Sequence, residues 1–228
     1  MSTVRGSCLL VLSASSPGVT AQSFVQAYTL AATNFTVQLA TPEGKQSEFI
    51  DQDEHNRRWF NEFRSKSAST PISLESVDAN RYAALLIPPA PGAVNDLAHN
   101  KDLADILNYF IQEKKPICAI GMGVAGLCPA TLKTKSNNSY WNFQDYSMTG
   151  PSVLELARNA DFANLPIVPE DFIKDNGASY SSSECDAIHI IVDRHLVTGQ
   201  NVQSTLIAVQ NLILLCNQKH TSSFQNNA

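Results

Sequence analysis

The sequence is that of a mid-sized, mildly acidic chain. Its 228 residues are 43% hydrophobic and 16% charged, with a formal net charge of −5 and a pI near 5.5. A chain of this length can bury the core of one large domain. Its acidity excludes a broad electrostatic contact with nucleic acid or an anionic membrane, and no apolar run is long enough to span a bilayer. We therefore expect no direct DNA binding and no membrane insertion.

Short apolar segments alternate with helical patterns along the chain, which is typical of a parallel sheet covered on both faces. Predicted strands occupy residues 8–12, 37–40, 83–87, 117–120, 188–192 and 196–198. Predicted helices occupy residues 20–33, 51–66, 169–176 and 205–216, with one more along the apolar stripe 103–110 and a short one after Pro151. Residues 131–146 are predicted to form a polar loop. The chain is expected to be a single domain, residues 1–228, with a frayed polar tail at 217–228.

The cysteines favour a reducing compartment. The chain has five, at positions 8, 118, 128, 185 and 216, and most of them lie in apolar runs. An odd, scattered set of this kind is typical of buried, reduced thiols in a cytoplasmic protein. The apolar run at 8–12 follows Arg5 but is too short for a signal peptide, and residues 13–18 read better as a turn between a strand and a helix. Secretion is therefore not expected.

The most informative segment is the turn after the strand predicted at 117–120. It reads Gly121-Met122-Gly123, and we call these three residues the elbow. Enzymes that build a nucleophile elbow place Ser or Cys on such a turn, between a buried strand and a helix. Neither glycine nor methionine can act as the nucleophile. The sequence therefore predicts the frame of an active site without its reactive group.

Three further stretches resemble motifs of the DJ-1/PfpI superfamily of class I glutamine amidotransferase-like folds, and most closely its Hsp31-like branch. Residues 40–44, A-T-P-E-G, resemble A-S-P-x-G, and residues 82–93, Y-A-A-L-L-I-P-P-A-P-G-A, resemble Y-D-A-x-x-I-P-G-G-H-G-A. Residues 189–201, H-I-I-V-D-R-H-L-V-T-G-Q-N, resemble H-V-V-V-D-x-x-L-x-T-G-Q-N. The resemblance covers about residues 6–216 and implies a flavodoxin-like three-layer α/β/α sandwich with a mostly parallel central sheet.

The same resemblance implies that the catalytic groups have been lost. In active relatives the elbow reads Cys-His-Gly, so Gly121 and Met122 stand where the nucleophile and its histidine would be. By spacing, Gln22 takes the place of an acidic residue from the first helix. The relatives' Gly-Gly-His-Gly turn, which donates backbone amides to an oxyanion, is residues 89–92, P-A-P-G, where the two prolines have no N–H to donate.

A vestigial pocket is predicted around the elbow. His189 matches a residue of the relatives' pocket region, and Gln200 and Asn201 would supply polar contacts near the amides of the two elbow glycines, where doubly wound sheets bind ligands. The predicted set is Gln22, Pro89, Ala90, Gly92, Gly121, Met122, Gly123, His189, Gln200 and Asn201. No catalytic residue, cofactor or metal ligand is expected. Cys118 and Cys128 are interpreted as core residues.

The resemblance favours a non-catalytic scaffold or assembly subunit, homodimeric like most relatives. Within the superfamily the chain resembles one group in particular, and this resemblance implies membership of an early-endosome Rab-effector complex linked to messenger RNA transport. Two other hypotheses stay open. One is a hydrolase or glyoxalase-like lyase with a rearranged site that uses Cys185 and His189, four residues apart in a polar stretch. The other is a sensor that binds a small ligand at the elbow.

Overall fold

A seven-stranded sheet forms the centre of the molecule. The computed structural model describes residues 5–133 and 139–225. In chain order the strands are β1 Ser7–Val11, β2 Thr36–Thr41, β3 Ile72–Ser73, β4 Ala84–Ile87, β5 Ile117–Ile120, β6 Ile190–Asp193 and β7 Leu196–Gly199. Their order across the sheet is β6-β7-β5-β4-β1-β2-β3. Every neighbouring pair is parallel except β6 with β7, which is antiparallel.

Helices flank this sheet. They are α1 Ala21–Asn34, α2 Glu54–Arg64, α3 Ala93–Asp96, α4 Lys101–Gln112, α5 Val153–Leu156, α6 Pro169–Asp175 and α7 Thr205–Gln225. Every residue of β4, β5 and β7 is buried, which requires cover on both faces of the sheet. The predicted flavodoxin-like three-layer sandwich is confirmed. In the described ranges, no helix combines the length and apolar character that a bilayer crossing needs.

Within the described residues, three pairs of short strands lie outside the central sheet. Val19–Thr20 pairs with Phe49–Ile50 and Ser147–Met148 pairs with Ser179–Tyr180, both in parallel. Thr131–Lys133 and Ser139–Trp141 form an antiparallel pair where the sequence predicted a polar loop. Trp141 explains the difference, because its buried indole N–H donates a hydrogen bond to the Leu127 carbonyl at 2.9 Å and fixes this pair on the domain. Residues 134–138 of the predicted loop lie outside the described residues.

Two helical segments need comment. The elbow forms the start of a 3₁₀ segment, Gly121–Leu127. This segment lies close to β4, since a Cβ on Gly126 would meet Ile87 Cδ1 at 2.9 Å. Helix α7 continues to Gln225, beyond its predicted bounds of 205–216. Residues 217–225 are polar apart from Phe224 but contain neither glycine nor proline, so nothing in them ends the helix. The last predicted tail residues, 226–228, lie outside the described part of the chain.

Candidate functional site

The elbow has the backbone of a strained strand-to-helix turn. Gly121 has φ of +54°, a left-handed conformation that side chains other than glycine rarely adopt. A Cβ at Gly121 would lie 3.3 Å from Pro89 Cβ, and one at Gly123 would lie 2.4 Å from the Pro88 carbonyl oxygen. The turn therefore has the backbone shape of a nucleophile elbow. The Pro89 ring restricts the space that a nucleophilic side chain at position 121 would occupy.

The loop between β1 and α1 supports the turn at residues 89–92. The Thr20 amide donates to the Pro89 carbonyl at 3.0 Å, and the Gly92 amide donates to the Gly18 carbonyl at 3.0 Å. Asp96, at the end of α3, accepts hydrogen bonds from the amides of Ala14 at 2.7 Å and Ser15 at 3.0 Å. These contacts fix the two loops that form one wall of the elbow cleft.

Burial raises the pKa of Asp96, although the amides of Ala14 and Ser15 oppose the shift. A carboxyl with a raised pKa in the folded state binds its proton more tightly there than in the unfolded chain. Its contribution to stability is therefore largest at low pH and declines as pH rises from about 4, the ordinary aspartate value, through the raised value. Asp96→Asn should remove this decline. The melting temperatures of the unaltered protein and of Asp96→Asn, measured across this pH range and expressed relative to pH 7, test this prediction. Parallel curves for the two proteins would contradict it.

The elbow opens into a cleft of about 190 Å³ with an apolar floor. The floor side chains are Pro89, Ala90, Pro91, Met122, Pro151 and Leu156. A second cavity, of about 240 Å³, adjoins it and shares Pro91, Met122 and Leu156. Met122 thus separates two apolar spaces, a role that suits its flexible thioether.

The charged groups at the rim of this cleft are engaged with one another. Glu155 accepts hydrogen bonds from the Asp186 amide at 3.0 Å and from Asn201 Nδ2 at 2.9 Å. Arg158 forms an ion pair with Asp186 at 2.6 Å. Gln200 is fully buried, and its Oε1 accepts from the Ser183 amide at 2.8 Å. The cleft therefore suits a neutral, mainly apolar group better than an ion.

The structure brings six of the ten predicted pocket residues to the cleft, namely Pro89, Ala90, Gly121, Met122, Gln200 and Asn201. Gly92 and Gly123 lie behind its wall, where they allow close backbone approaches. Gln22 is exposed on the first turn of α1, and Thr20 lines the cleft instead. His189 does not line it: its Nε2 lies 3.1 Å from Ser181 Oγ.

Sequence reasoning missed the rim residues Glu155, Arg158 and Asp186. A signal for Glu155 was present, because Ser152 and Glu155 have the spacing of a capping box and form one at the start of α5. The approach of Asp186 to α5 depends on tertiary packing and has no local signal.

Neither cysteine chemistry nor metal ligation finds support in the geometry. Four cysteines are buried, and burial raises the pKa of Cys118 well above its usual value and that of Cys128 to about 12. Cys185 is half-buried and does not line the cleft. No group of three or more His, Cys, Asp or Glu residues in the described ranges is placed to hold a metal ion.

A model of the DJ-1/PfpI family matches residues 22–213. The chain belongs to this family. It is 55% identical over 217 residues to the glutamine amidotransferase-like class 1 domain-containing protein 1 of Danio rerio, covering 95% of this chain and 100% of that one. It is also 55% identical over 215 residues to the protein of the same name from Homo sapiens, covering 94% and 96% of the two chains.

Solved structures of other proteins share the fold. The 24 kDa rapid encystment protein of Francisella tularensis superimposes with a TM-score of 0.81 at 19% identity, over 92% of this chain and 99% of its own. Glyoxalase III of Candida albicans superimposes with a TM-score of 0.79 at 18% identity, over 92% and 97% of the two chains. At these identities the similarity establishes the fold only, and any activity has to be argued from the residues of the site.

Proposed function

We propose that this protein is a non-catalytic DJ-1/PfpI member that acts as a scaffold or assembly subunit. One observation carries the proposal: at the left-handed elbow position the chain has Gly121, whose missing side chain faces Pro89. A covalent mechanism needs a side-chain nucleophile beside a base, and the cleft contains neither a cysteine nor a histidine among its lining residues. The fold is kept while the reacting groups are replaced.

The resemblance of the sequence to one group within the superfamily supports a more specific proposal. The protein is a homodimer that joins other subunits of an early-endosome Rab-effector complex linked to messenger RNA transport, in the cytoplasm. Its net charge of −5 favours an indirect link to RNA through those subunits. Affinity isolation from cells at low salt, followed by identification of the bound proteins and light scattering of the purified chain, tests it. A monomer that isolates alone would contradict it.

Restoring the family residues at the elbow tests whether catalysis has been lost at more than one position. Gly121→Cys with Met122→His should give only a weakly reactive thiol, because a Cβ at position 121 meets Pro89 and the backbone there is left-handed. Adding Pro89→Gly should raise the rate of labelling by iodoacetamide, since it frees the space and restores an N–H. The rates are measured on the background Cys185→Ala, the half-buried thiol. Full reactivity of the double variant would contradict this account.

A second candidate function is the binding of a small neutral ligand at the elbow. The adjoining cavities of about 190 and 240 Å³, with internally paired charges at the rim, support it. A ligand that binds only the folded chain raises its melting temperature. Met122→Trp would fill the space between the cavities and should abolish such a shift. A shift that survives this substitution would place the ligand elsewhere.

A further inference from the structure

A cavity of about 450 Å³ lies beneath helix α2, and it shares no lining residue with the elbow cleft. It is bordered by α2, by residues 46–49 and by residues 69–71, which precede β3. Pockets that bind small molecules in proteins are typically about 300–1,000 Å³ in volume, with an apolar lining and a few convergent polar groups. The cavity under α2 has this size, so its chemistry decides what it would hold.

The floor of the cavity is apolar, whereas Gln46, Ser47, Ser69 and Thr70 make its walls polar. Leu12, Leu39, Phe60 and Phe63 form it, and each is at most 3% exposed. Phe60 and Phe63 belong to an aromatic cluster around Phe24, with ring centroids 5.8 and 5.7 Å from that ring. Neighbouring rings that hold each other in place keep the space open without collapse. The floor therefore offers a preformed surface to an aryl or alkyl group.

Two polar groups of this cavity have no partner among the residues that the structure describes. Ser47 Oγ is buried and makes no hydrogen bond. The guanidinium of Arg64, the last residue of α2, forms no ion pair or hydrogen bond with any residue in the described ranges. A buried hydroxyl without a partner costs free energy, and an unpaired arginine at the mouth of a cavity attracts an anion.

We propose that the cavity under α2 binds a small apolar carboxylate. The aryl or alkyl body rests on Phe60 and Phe63, the carboxylate meets the Arg64 guanidinium at the mouth, and Ser47 Oγ donates the hydrogen bond that it lacks in the unliganded chain. Two features of different chemistry thus select one ligand class. The apolar floor favours an aryl or alkyl group, and the unpaired Arg64 guanidinium favours a negatively charged group.

Calorimetric titration of the full chain with 4-phenylbutanoate tests the proposal, with 4-phenylbutanol as the neutral analogue. We expect the carboxylate to bind with a Kd below about 1 mM. Arg64→Gln should weaken this binding by about tenfold, as expected for one charged hydrogen bond, and should leave the weaker binding of the alcohol unchanged. Ser47→Leu, which removes the hydroxyl and narrows the cavity beside its floor, should weaken binding of both.

Arg57→Gln is the matched control. Arg57 is exposed on the same helix, contacts the Gln52 carbonyl at 3.5 Å and does not line the cavity, so its loss removes an equal charge elsewhere. Equal binding by Arg64→Gln and Arg57→Gln would overturn the proposal, and so would an absence of binding by the unaltered chain. Arg64 is exposed, so this comparison holds even if Ser47→Leu does not fold. The elbow variant Gly121→Cys/Met122→His should bind the carboxylate normally, which separates this site from the proposed function.

Discussion

Replacing Phe24 with alanine is expected to lower the free energy of unfolding by about 3–5 kcal/mol. Phe24 is fully buried in α1, and its ring lies 4.7–5.9 Å from those of Tyr28, Phe49, Trp59, Phe60 and Phe63. These rings come from three parts of the chain, so truncation leaves a cavity that no single element can close. In a domain of this size the melting temperature should fall by about 10 °C, measured by calorimetry or circular dichroism.

Phe162→Ala is the matched control for this prediction. Phe162 is only half-buried and lies outside the core cluster, so the same change of side chain should cost less than about 1.5 kcal/mol. Similar losses in the two variants would show that the aromatic cluster does not anchor α1 and α2 on the sheet. Phe24→Ala should also weaken binding in the cavity under α2, because Phe60 and Phe63 would lose their support.

Gly123→Ala is expected to destabilise the fold by about 3 kcal/mol, because it overpacks a backbone contact. The new Cβ would lie 2.4 Å from the Pro88 carbonyl oxygen and 3.0 Å from that of Ile87. Both atoms belong to the main chain at the end of β4, so relief requires that the elbow move away from the sheet. Denaturant unfolding of the purified variant measures the loss.

Gly150→Ala provides the comparison for Gly123→Ala. A Cβ at Gly150 would meet Val124 Cγ1 at 3.4 Å, an ordinary contact, so the change in stability should stay within about 1 kcal/mol. An equally stable Gly123→Ala variant would mean that the elbow does not pack against β4 as described. That result would also argue against the close contact between β4 and the 3₁₀ segment Gly121–Leu127.

The central strands were predictable because their signal is local. Fully buried parallel strands read as short apolar runs, and β5 was predicted with the bounds that the structure has. The absence of a nucleophile at Gly121 could also be predicted, because this prediction requires only that the turn after that strand be located. Helix α7 was predicted too short, since polar residues after Cys216 suggest a tail although they do not break a helix.

Features that arise from tertiary packing were not predictable. Counting back along the chain suggested Gln22 as the cleft residue, but the start of α1 directs Gln22 to the surface and leaves Thr20 at the cleft. The contacts of Glu155 with Asp186 and Asn201 join segments that are far apart in sequence. The cavity under α2 depends on how three segments fit together, which no periodicity encodes.

The proposed loss of catalysis competes with the hypothesis that the chain is an enzyme with a rearranged site. That hypothesis requires Cys185 and His189 to act together, yet neither lines the elbow cleft, and His189 Nε2 lies beside Ser181 Oγ. A cysteine becomes an efficient nucleophile when a base or a cation lowers its pKa inside a substrate site. The structure has a cleft of about 190 Å³ at the elbow and places these two side chains outside its lining.

The most direct measurement is the turnover of methylglyoxal and of simple esters by the purified chain, with Cys185→Ala and the elbow variant Gly121→Cys/Met122→His assayed beside it. A protein whose elbow bears only Gly121 and Met122 should convert neither substrate above the rate of the buffer, and Cys185→Ala should change nothing. Turnover by the unaltered chain that disappears in Cys185→Ala would contradict the account and establish a relocated active site.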